Sequence, residues 1–206
     1  LIEQINNNEL YVANDIELGN EYNCSLIYGT NAVGKSSLIK SIGITIILAQ
    51  SGNYVPASYF KYYPYSSLFT RILNTDNIFK GLSTFALEIC ELRNILKYSN
   101  KNSIVLADEV CSGTESVSAL SIFTAWLERL HNNEVTSLFA THYHEILKYD
   151  EIKNLKKLKI NHMSVIYNKK LNKLIYDRKL KNGSGDMMYG IQVAESLNLD
   201  NDFIER

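Results

Sequence analysis

The most informative stretch of this chain is Gly29-Thr30-Asn31-Ala32-Val33-Gly34-Lys35-Ser36, which satisfies the pattern G-x-x-x-x-G-K-[ST]. A short apolar run at 25–28 comes directly before it, and a helical pattern of apolar residues follows over 35–50. Glycines at both ends allow a tight loop whose N–H groups point inward at a helix N-terminus, where an anion is stabilised. The succession of strand, glycine-bounded loop and helix therefore predicts a phosphate-binding loop.

Each residue of this loop has an expected role in holding ATP or ADP with Mg²⁺. Lys35 supplies a positive charge at the β- and γ-phosphates, and the Ser36 hydroxyl comes one residue later, where it can bind the magnesium ion. Ser37 considered alone is interpreted as a residue that packs the helix. The predicted nucleotide-binding residues of the loop are Gly29, Thr30, Asn31, Ala32, Val33, Gly34, Lys35, Ser36 and Ser37.

A second apolar run, at 103–107, ends in the two carboxylates Asp108 and Glu109. Ligands of open α/β sheets bind at the carboxyl ends of the strands, and paired acids there are costly unless they are used. We expect Asp108 to hold the magnesium ion together with Ser36, and Glu109 to polarise the attacking water. The alternative is a solvated turn at a strand end.

A third apolar run, at 136–140, is followed by Thr141 and His142. A single histidine is more often a satisfied polar residue than a catalyst, but the strand-end position favours a contact between His142 and the γ-phosphate. The predicted catalytic residues are therefore Lys35, Glu109 and His142. His144 lacks this support and is interpreted as structural or exposed.

Strand and helix patterns alternate along most of the chain, which predicts an α/β fold with a largely parallel sheet covered by helices. Residues 54–65 hold both prolines and many tyrosines and indicate an irregular connection. Later, two strand patterns around a polar turn predict an antiparallel hairpin, followed by a final helix. The predicted helices are 35–50, 85–98 and 117–131, and the hairpin strands are 158–167 and 174–180.

The composition excludes several classes of protein. Lys plus Arg is 21 and Asp plus Glu is 22, so the chain has no net positive charge that would attract it to nucleic acid. The longest apolar run, 42–49, is far shorter than the ~20 residues of a membrane span, so a soluble protein is expected. The three cysteines, Cys24, Cys90 and Cys111, are widely spaced and form no C-x-x-C pair, so they are interpreted as reduced and the protein as intracellular. The lysines at 153, 156, 157 and 159 are interpreted as a solvated face rather than a DNA or phosphate patch.

Further motifs extend over nearly the whole chain, and together with the phosphate loop they resemble the MutS ATPase domain. The stretch 52–57, Gly-Asn-Tyr-Val-Pro-Ala, is similar to that family's G-S/C-Y/F-V-P-A, and 69–71 is similar to its F-T-R segment. Residues 81–85 resemble G-x-S-T-F, and 189–194 resemble Y-G-x-x-V-A. The resemblance implies that 1–206 is one P-loop, ABC-type ATPase domain, cut from a longer protein and lacking most of its C-terminal dimerisation segment.

The resemblance also assigns roles that the residues alone do not. Ser83 takes the place of the family's serine that reaches the partner's ATP γ-phosphate across a dimer; without the resemblance it would be only a helix N-cap. Tyr11 takes the place of an aromatic residue that stacks on adenine, and an ordinary edge-strand aromatic is the alternative. The chain departs from the family at Thr30 and Val33, and Ser112 stands in place of the arginine of D-E-x-G-R-G-T.

Three functions remain open at this point. The resemblance implies a homodimer or paralogue heterodimer that hydrolyses ATP to control the conformation of a protein on mismatched double-stranded DNA, which regions outside this chain would contact. An ATPase of the transporter or chromosome-maintenance type is disfavoured, because no L-S-G-G-Q helix opening is present in the sequence. A nucleotide-gated dimerisation module with little turnover is disfavoured by Glu109. No membrane partner is expected.

Overall fold

Six strands and four helices make up the computed structural model, which describes residues 12–19, 21–30, 32–72, 84–168 and 173–185. The helices are α1 Lys35–Gln50, α2 Thr84–Tyr98, α3 Ser116–Asn132 and the short α4 Asp150–Lys153, with a 3₁₀ turn at His144–Lys148. The strands are β1 Cys24–Tyr28, β2 Ser67–Arg71, β3 Ser103–Asp108, β4 Thr136–Thr141, β5 Leu158–Asn168 and β6 Lys173–Asn182.

All six strands join one mixed sheet in the order β2-β3-β4-β1-β5-β6. The first five run parallel, and β6 pairs antiparallel with β5. The expected α/β fold with a largely parallel sheet and a late hairpin is therefore confirmed. The predicted irregular connection at 54–65 contains neither helix nor strand, as expected.

The edge strand β2 was not predicted from its sequence. Its first three residues are half-buried, Thr70 is exposed and only Arg71 is buried. The strand pairs with β3 alone. Such an edge strand lacks the unbroken apolar run that marks β1, β3 and β4, each of which is buried along its whole length.

Helices cover both faces of the sheet and divide the core into two layers. On one face α2 and α3 pack with Phe123, Trp126 and Phe139 at the centre. On the other face α1 packs against β3 so closely that a Cβ built on Gly43 would lie 2.9 Å from Leu106 Cδ1. Strands buried between two helical layers end in register, so the loops that follow them share one edge.

The lysine-rich segment is balanced by acids, which supports its interpretation as a solvated face. Lys153 pairs with Asp150 at 2.8 Å, and Lys159 lies 3.8 Å from Glu17.

Across the described ranges, none of the helices combines the length and apolar character needed to cross a membrane. The cysteines Cys24, Cys90 and Cys111 are free thiols.

Candidate active site

The loop after β1 folds tightly, and three of its described residues have positive φ. Gly29 has φ 150°, Ala32 has φ 64° and Gly34 has φ 112°, and Gly34 caps the N-terminus of α1. Val33 does not need positive φ, so its β-branched side chain causes no conflict at a position where the family has glycine. It is instead fully buried, and its Cγ1 lies against Gly29.

Gly29→Ala should destabilise the protein more than the matched substitution Gly19→Ala. Both glycines have positive φ, but a Cβ on Gly29 would meet Val33 Cγ1 at 3.0 Å and the Met163 carbonyl oxygen at 3.1 Å, whereas a Cβ on Gly19 would meet nothing within 4 Å. The difference in free energy of unfolding, measured in urea, is expected to be roughly 1–3 kcal/mol. Equal losses in the two variants would contradict a close approach at Gly29.

The ammonium group of Lys35 closes the loop on itself. Lys35 is only 4% exposed, and its Nζ donates to the carbonyl oxygens of Gly29 at 2.6 Å and Thr30 at 2.9 Å. Burial lowers the pKa of Lys35, while the negative charges of Glu109 and then Asp108 oppose that shift. The lysine is thus a desolvated cation held between the phosphate loop and two carboxylates.

The two carboxylates leave the sheet beside this loop. Asp108 ends β3 and is 4% exposed, and its Oδ1 has no hydrogen-bond partner among the described residues. Glu109 follows with φ 50°, and its N–H donates to the Ala140 carbonyl on β4 at 3.0 Å. This left-handed turn ends the strand abruptly and directs the chain away from the sheet.

The phosphate loop and the carboxylates line one cavity of about 340 Å³. Asp108 and Glu109 form one wall. Six of the predicted loop residues line the cavity as well, namely Thr30, Ala32, Gly34, Lys35, Ser36 and Ser37. The interpretation of Ser37 as a packing residue is wrong, because its side chain is exposed at the cavity. Neither Gly29 nor Val33 lies in the lining.

Two lining residues were not predicted, Lys40 and Ile72. Lys40 is four positions after Ser36 on α1, so helical periodicity alone places both on one face. Ile72 follows the unpredicted strand β2, and no local sequence signal marks it. The cavity thus has a second cation beside the phosphate loop.

His142 leaves the sheet at the predicted edge but does not line the cavity. Thr141 pairs with Tyr28 and Ala140 pairs with Asp108, so the chain emerges beside both halves of the site. The His142 side chain is exposed, and its ring lies 4.4 Å from that of Tyr143. Its predicted phosphate contact stays a prediction.

His144 is structural, which agrees with one of its two interpretations. It is half-buried and stacks on Tyr28 with ring centroids 4.5 Å apart, and its Nδ1 is buried without a hydrogen-bond partner in the described chain. Desolvation lowers the pKa of His144; the charge of Glu145 opposes this shift, and those of His142 and His162 add to it.

This pKa shift predicts a loss of stability in mild acid. The unfolded chain takes up a proton near the usual pKa of 6.5, whereas folded His144 resists protonation. The contribution of neutral His144 to the free energy of unfolding is therefore complete above pH 6.5, and it is lost as the pH falls through the lowered pKa. His144→Phe keeps the stacked ring and should flatten the decline in unfolding free energy between about pH 7.5 and about pH 5.5, measured by urea denaturation. Parallel declines in the two proteins would contradict this assignment.

Three predicted site residues, Tyr11, Asn31 and Ser83, lie outside the described residues. The segment that follows Tyr11 runs along β6. Asn14 donates to the Arg178 carbonyl at 2.9 Å and accepts from the Leu180 N–H at 2.7 Å.

Comparison with known proteins decides the family. A family model described as MutS domain V matches residues 25–206, which includes the whole sheet except Cys24, the first residue of β1. The chain belongs to the MutS family. The expected resemblance to MutS proteins is thereby confirmed.

Individual MutS relatives match almost all of the chain. A mutS homolog of Acanthamoeba polyphaga mimivirus is 39% identical over 100% of the chain and 21% of its own length. The mitochondrial DNA mismatch repair protein mutS homolog of Sarcophyton glaucum is 40% identical over 98% of the chain and 20% of its own length. The DNA mismatch repair protein MutS of Caldanaerobacter subterraneus subsp. tengcongensis is 36% identical over 96% of the chain and 22% of its own length. The chain therefore spans about a fifth of the length of these relatives.

This MutS chain has Cys111 where the family motif D-E-x-G-R-G-T has its first glycine. Cys111 has φ 64°, a conformation that glycine adopts readily, and its side chain is fully buried. Burial raises the pKa of the thiol to about 12, so it stays protonated at neutral pH. The substituted residue therefore packs rather than reacts, and its backbone must be held in place by its neighbours.

Proposed function

We propose that this chain is a P-loop ATPase of the ABC type that binds ATP with Mg²⁺ in the cavity and hydrolyses it. One observation carries the proposal: the buried cation Lys35 and the carboxylates Asp108 and Glu109 face a single cavity at the carboxyl edge of a parallel sheet. That edge is where open α/β sheets bind their ligands. A cavity with a glycine-bounded loop at a helix N-terminus suits a polyphosphate.

The residues present also fit a magnesium ion. Mg²⁺ prefers oxygen ligands and binds through one or two protein oxygens together with substrate phosphates. The Asp108 Oδ1 atom is buried without a hydrogen bond in the described chain, which is costly for a carboxylate, and Ser36 lines the same cavity. These two side chains would hold the ion, which supplies charge neutralisation on the phosphates.

Hydrolysis needs a group that orients a water molecule in line with the bond that breaks. Glu109 is the carboxylate that continues past the end of β3 into the cavity wall, and we assign it this role. Lys35 stabilises negative charge on the transferred phosphate from the side of the loop. His142, at the end of the neighbouring strand, is proposed to contact the γ-phosphate.

We further propose that ATP binding and hydrolysis control the conformation of a MutS-like protein in DNA mismatch repair. This proposal rests on the names of the relatives, since all three of those given above carry DNA mismatch repair in their names. Two protomers, identical or paralogous, would complete each other's sites through Ser83, and Tyr11 would stack on adenine. Mismatched double-stranded DNA would be contacted by other regions.

Steady-state ATP hydrolysis measured across protein concentration, with nucleotide binding measured on the same samples, tests the proposal. Turnover that rises more than linearly with concentration is expected for a site completed by a partner. ATP binding without turnover would favour a nucleotide-gated dimerisation module. Absence of Mg²⁺-dependent ATP binding would refute the assignment of the cavity.

A further inference from the structure

A buried ion pair contacts the acidic loop that follows β3 (Glu109–Cys111), and neither of its two residues lines the cavity. Arg71 at the end of β2 is 8% exposed, Glu88 on α2 is 2% exposed, and the Arg71 Nη2 and Glu88 Oε1 atoms are 3.5 Å apart. The same Glu88 Oε1 accepts a hydrogen bond from the Cys111 N–H at 2.8 Å. One carboxylate oxygen therefore joins the edge strand, a helix and the loop that carries Glu109.

The Cys111 backbone is also held at its carbonyl group. The Tyr143 hydroxyl donates to the Cys111 carbonyl at 3.3 Å, and Tyr143 is only 9% exposed. The Tyr143 carbonyl in turn accepts from the Tyr28 hydroxyl at 3.5 Å. The loop after β3, the segment after β4 and the end of β1 are thus connected through buried polar contacts, and the last of these contacts is at Tyr28, directly before the phosphate loop.

This loop needs such support because its backbone is intrinsically unfavourable. Glu109 has φ 50° and Cys111 has φ 64°, and the left-handed conformation is unfavourable for a residue with a Cβ because that atom crowds the following carbonyl oxygen. Two of these residues within three positions return to ordinary conformations unless surrounding contacts oppose the change. The hydrogen bond from Cys111 to Glu88 and the bond from Glu109 N–H to Ala140 are the contacts that fix them.

We propose that Glu88 is a positioning residue for the ATPase site: its carboxylate, oriented by Arg71, holds the Cys111 peptide and thereby fixes Glu109 in the cavity wall. The catalytic part of this inference rests on the proposed function. A purely stabilising ion pair would need no contact with the acidic loop. Glu91, on the same helix, pairs with Arg71 through Nε and Oε2 at 2.9 Å but is 57% exposed, and no described contact joins it to that loop.

Three variants separate positioning from stability. Glu88→Ala removes the acceptor, Glu88→Gln keeps an acceptor oxygen while removing the charge, and Glu91→Ala removes only the exposed partner of Arg71. We expect Glu88→Ala to lower kcat roughly 10- to 100-fold with ATP affinity changed less than about 3-fold, because misplacement of a reacting group affects turnover rather than binding. Glu88→Gln should recover most of the lost kcat, and Glu91→Ala should stay within about 2-fold of the unaltered protein.

Amide hydrogen exchange in the nucleotide-free protein tests the same contact without any turnover. The Cys111 N–H should exchange at least about 10-fold faster in Glu88→Ala and at an unchanged rate in Glu91→Ala. If the unaltered protein does not hydrolyse ATP but this exchange pattern holds, the proposed function fails and the structural role of Glu88 remains. If exchange is unchanged, or if kcat is unchanged in a folded Glu88→Ala protein, the positioning role is overturned.

Tyr143→Phe keeps the proposal testable should Glu88→Ala fail to fold. It removes one hydroxyl and leaves the ring, so the Cys111 carbonyl loses its partner while packing is preserved. We expect kcat to fall about 3- to 10-fold at nearly constant ATP affinity, and Cys111 exchange to rise. Unchanged exchange and kcat in this variant would overturn the claim that fixing the Cys111 peptide matters.

Discussion

Lys35→Ala is expected to weaken ATP binding by roughly 100-fold or more, an effect of about 2.7 kcal/mol. Charge-assisted hydrogen bonds are among the strongest polar contacts in proteins, and Lys35 is desolvated at 4% exposure. The variant also frees the carbonyl oxygens of Gly29 and Thr30, which accept from Nζ at 2.6 and 2.9 Å. Isothermal titration calorimetry with Mg²⁺ and ATP measures the loss directly.

Lys35→Met provides the matched control for this prediction. Methionine keeps most of the side-chain volume but has no charge, so both variants should lose affinity to a similar extent if the ammonium group binds phosphate. Far-UV circular dichroism should show the same helix content as the unaltered protein. Retention of ATP affinity in the methionine variant alone would mean that the lysine fills space and does not bind phosphate.

Glu109→Gln is expected to keep ATP affinity within about 3-fold while slowing turnover by ~10²–10⁴-fold. Glutamine has nearly the same shape, so the left-handed turn and its hydrogen bond to Ala140 can persist. The amide cannot accept a proton from water, which is the reason for the loss. Single-turnover hydrolysis with saturating Mg²⁺ and ATP isolates this step from product release.

The chain offers a close control for this substitution in Glu134. Glu134 also has a left-handed backbone, with φ 56°, but it lies in the turn between α3 and β4, remote from the cavity lining. Its carboxylate has Lys157 at 4.0 Å, an exposed pair that contributes little. Glu134→Gln should leave turnover unchanged. A comparable loss in both variants, or none in Glu109→Gln, would remove Glu109 from its proposed role.

The parts of the fold that local sequence could predict are those whose environment is uniform along the element. β1, β3 and β4 are buried on both faces, and this forces continuous apolar runs of the kind found at 103–107. β2 is only half-buried and becomes a strand by pairing with β3, a partner distant in the chain. Its sequence, Ser-Leu-Phe-Thr-Arg, carries no comparable pattern.

The same distinction applies to the candidate site, where some residues have a local sequence signal and others have none. Lys35, Asp108 and Glu109 are adjacent to elements with strong local signals, so the sequence pattern alone places both halves of the site at one sheet edge. Glu88 gives no such signal, because its partner Cys111 is 23 residues away and Arg71 belongs to the unpredicted strand. The interpretation of Ser37 as a packing residue is wrong because a helix pattern does not reveal which face opens onto a cavity.

The central position of β1 also determines when the site can exist during synthesis. Both sheet neighbours of β1 are late segments, and the contact from Tyr28 to Tyr143 spans 115 residues. Closing so long a loop costs conformational entropy before any pairing compensates for it. A nascent chain therefore displays the complete phosphate-loop sequence well before that loop has a scaffold. Nucleotide affinity should appear late in translation, and until then the apolar β1 is a segment for chaperones to shield.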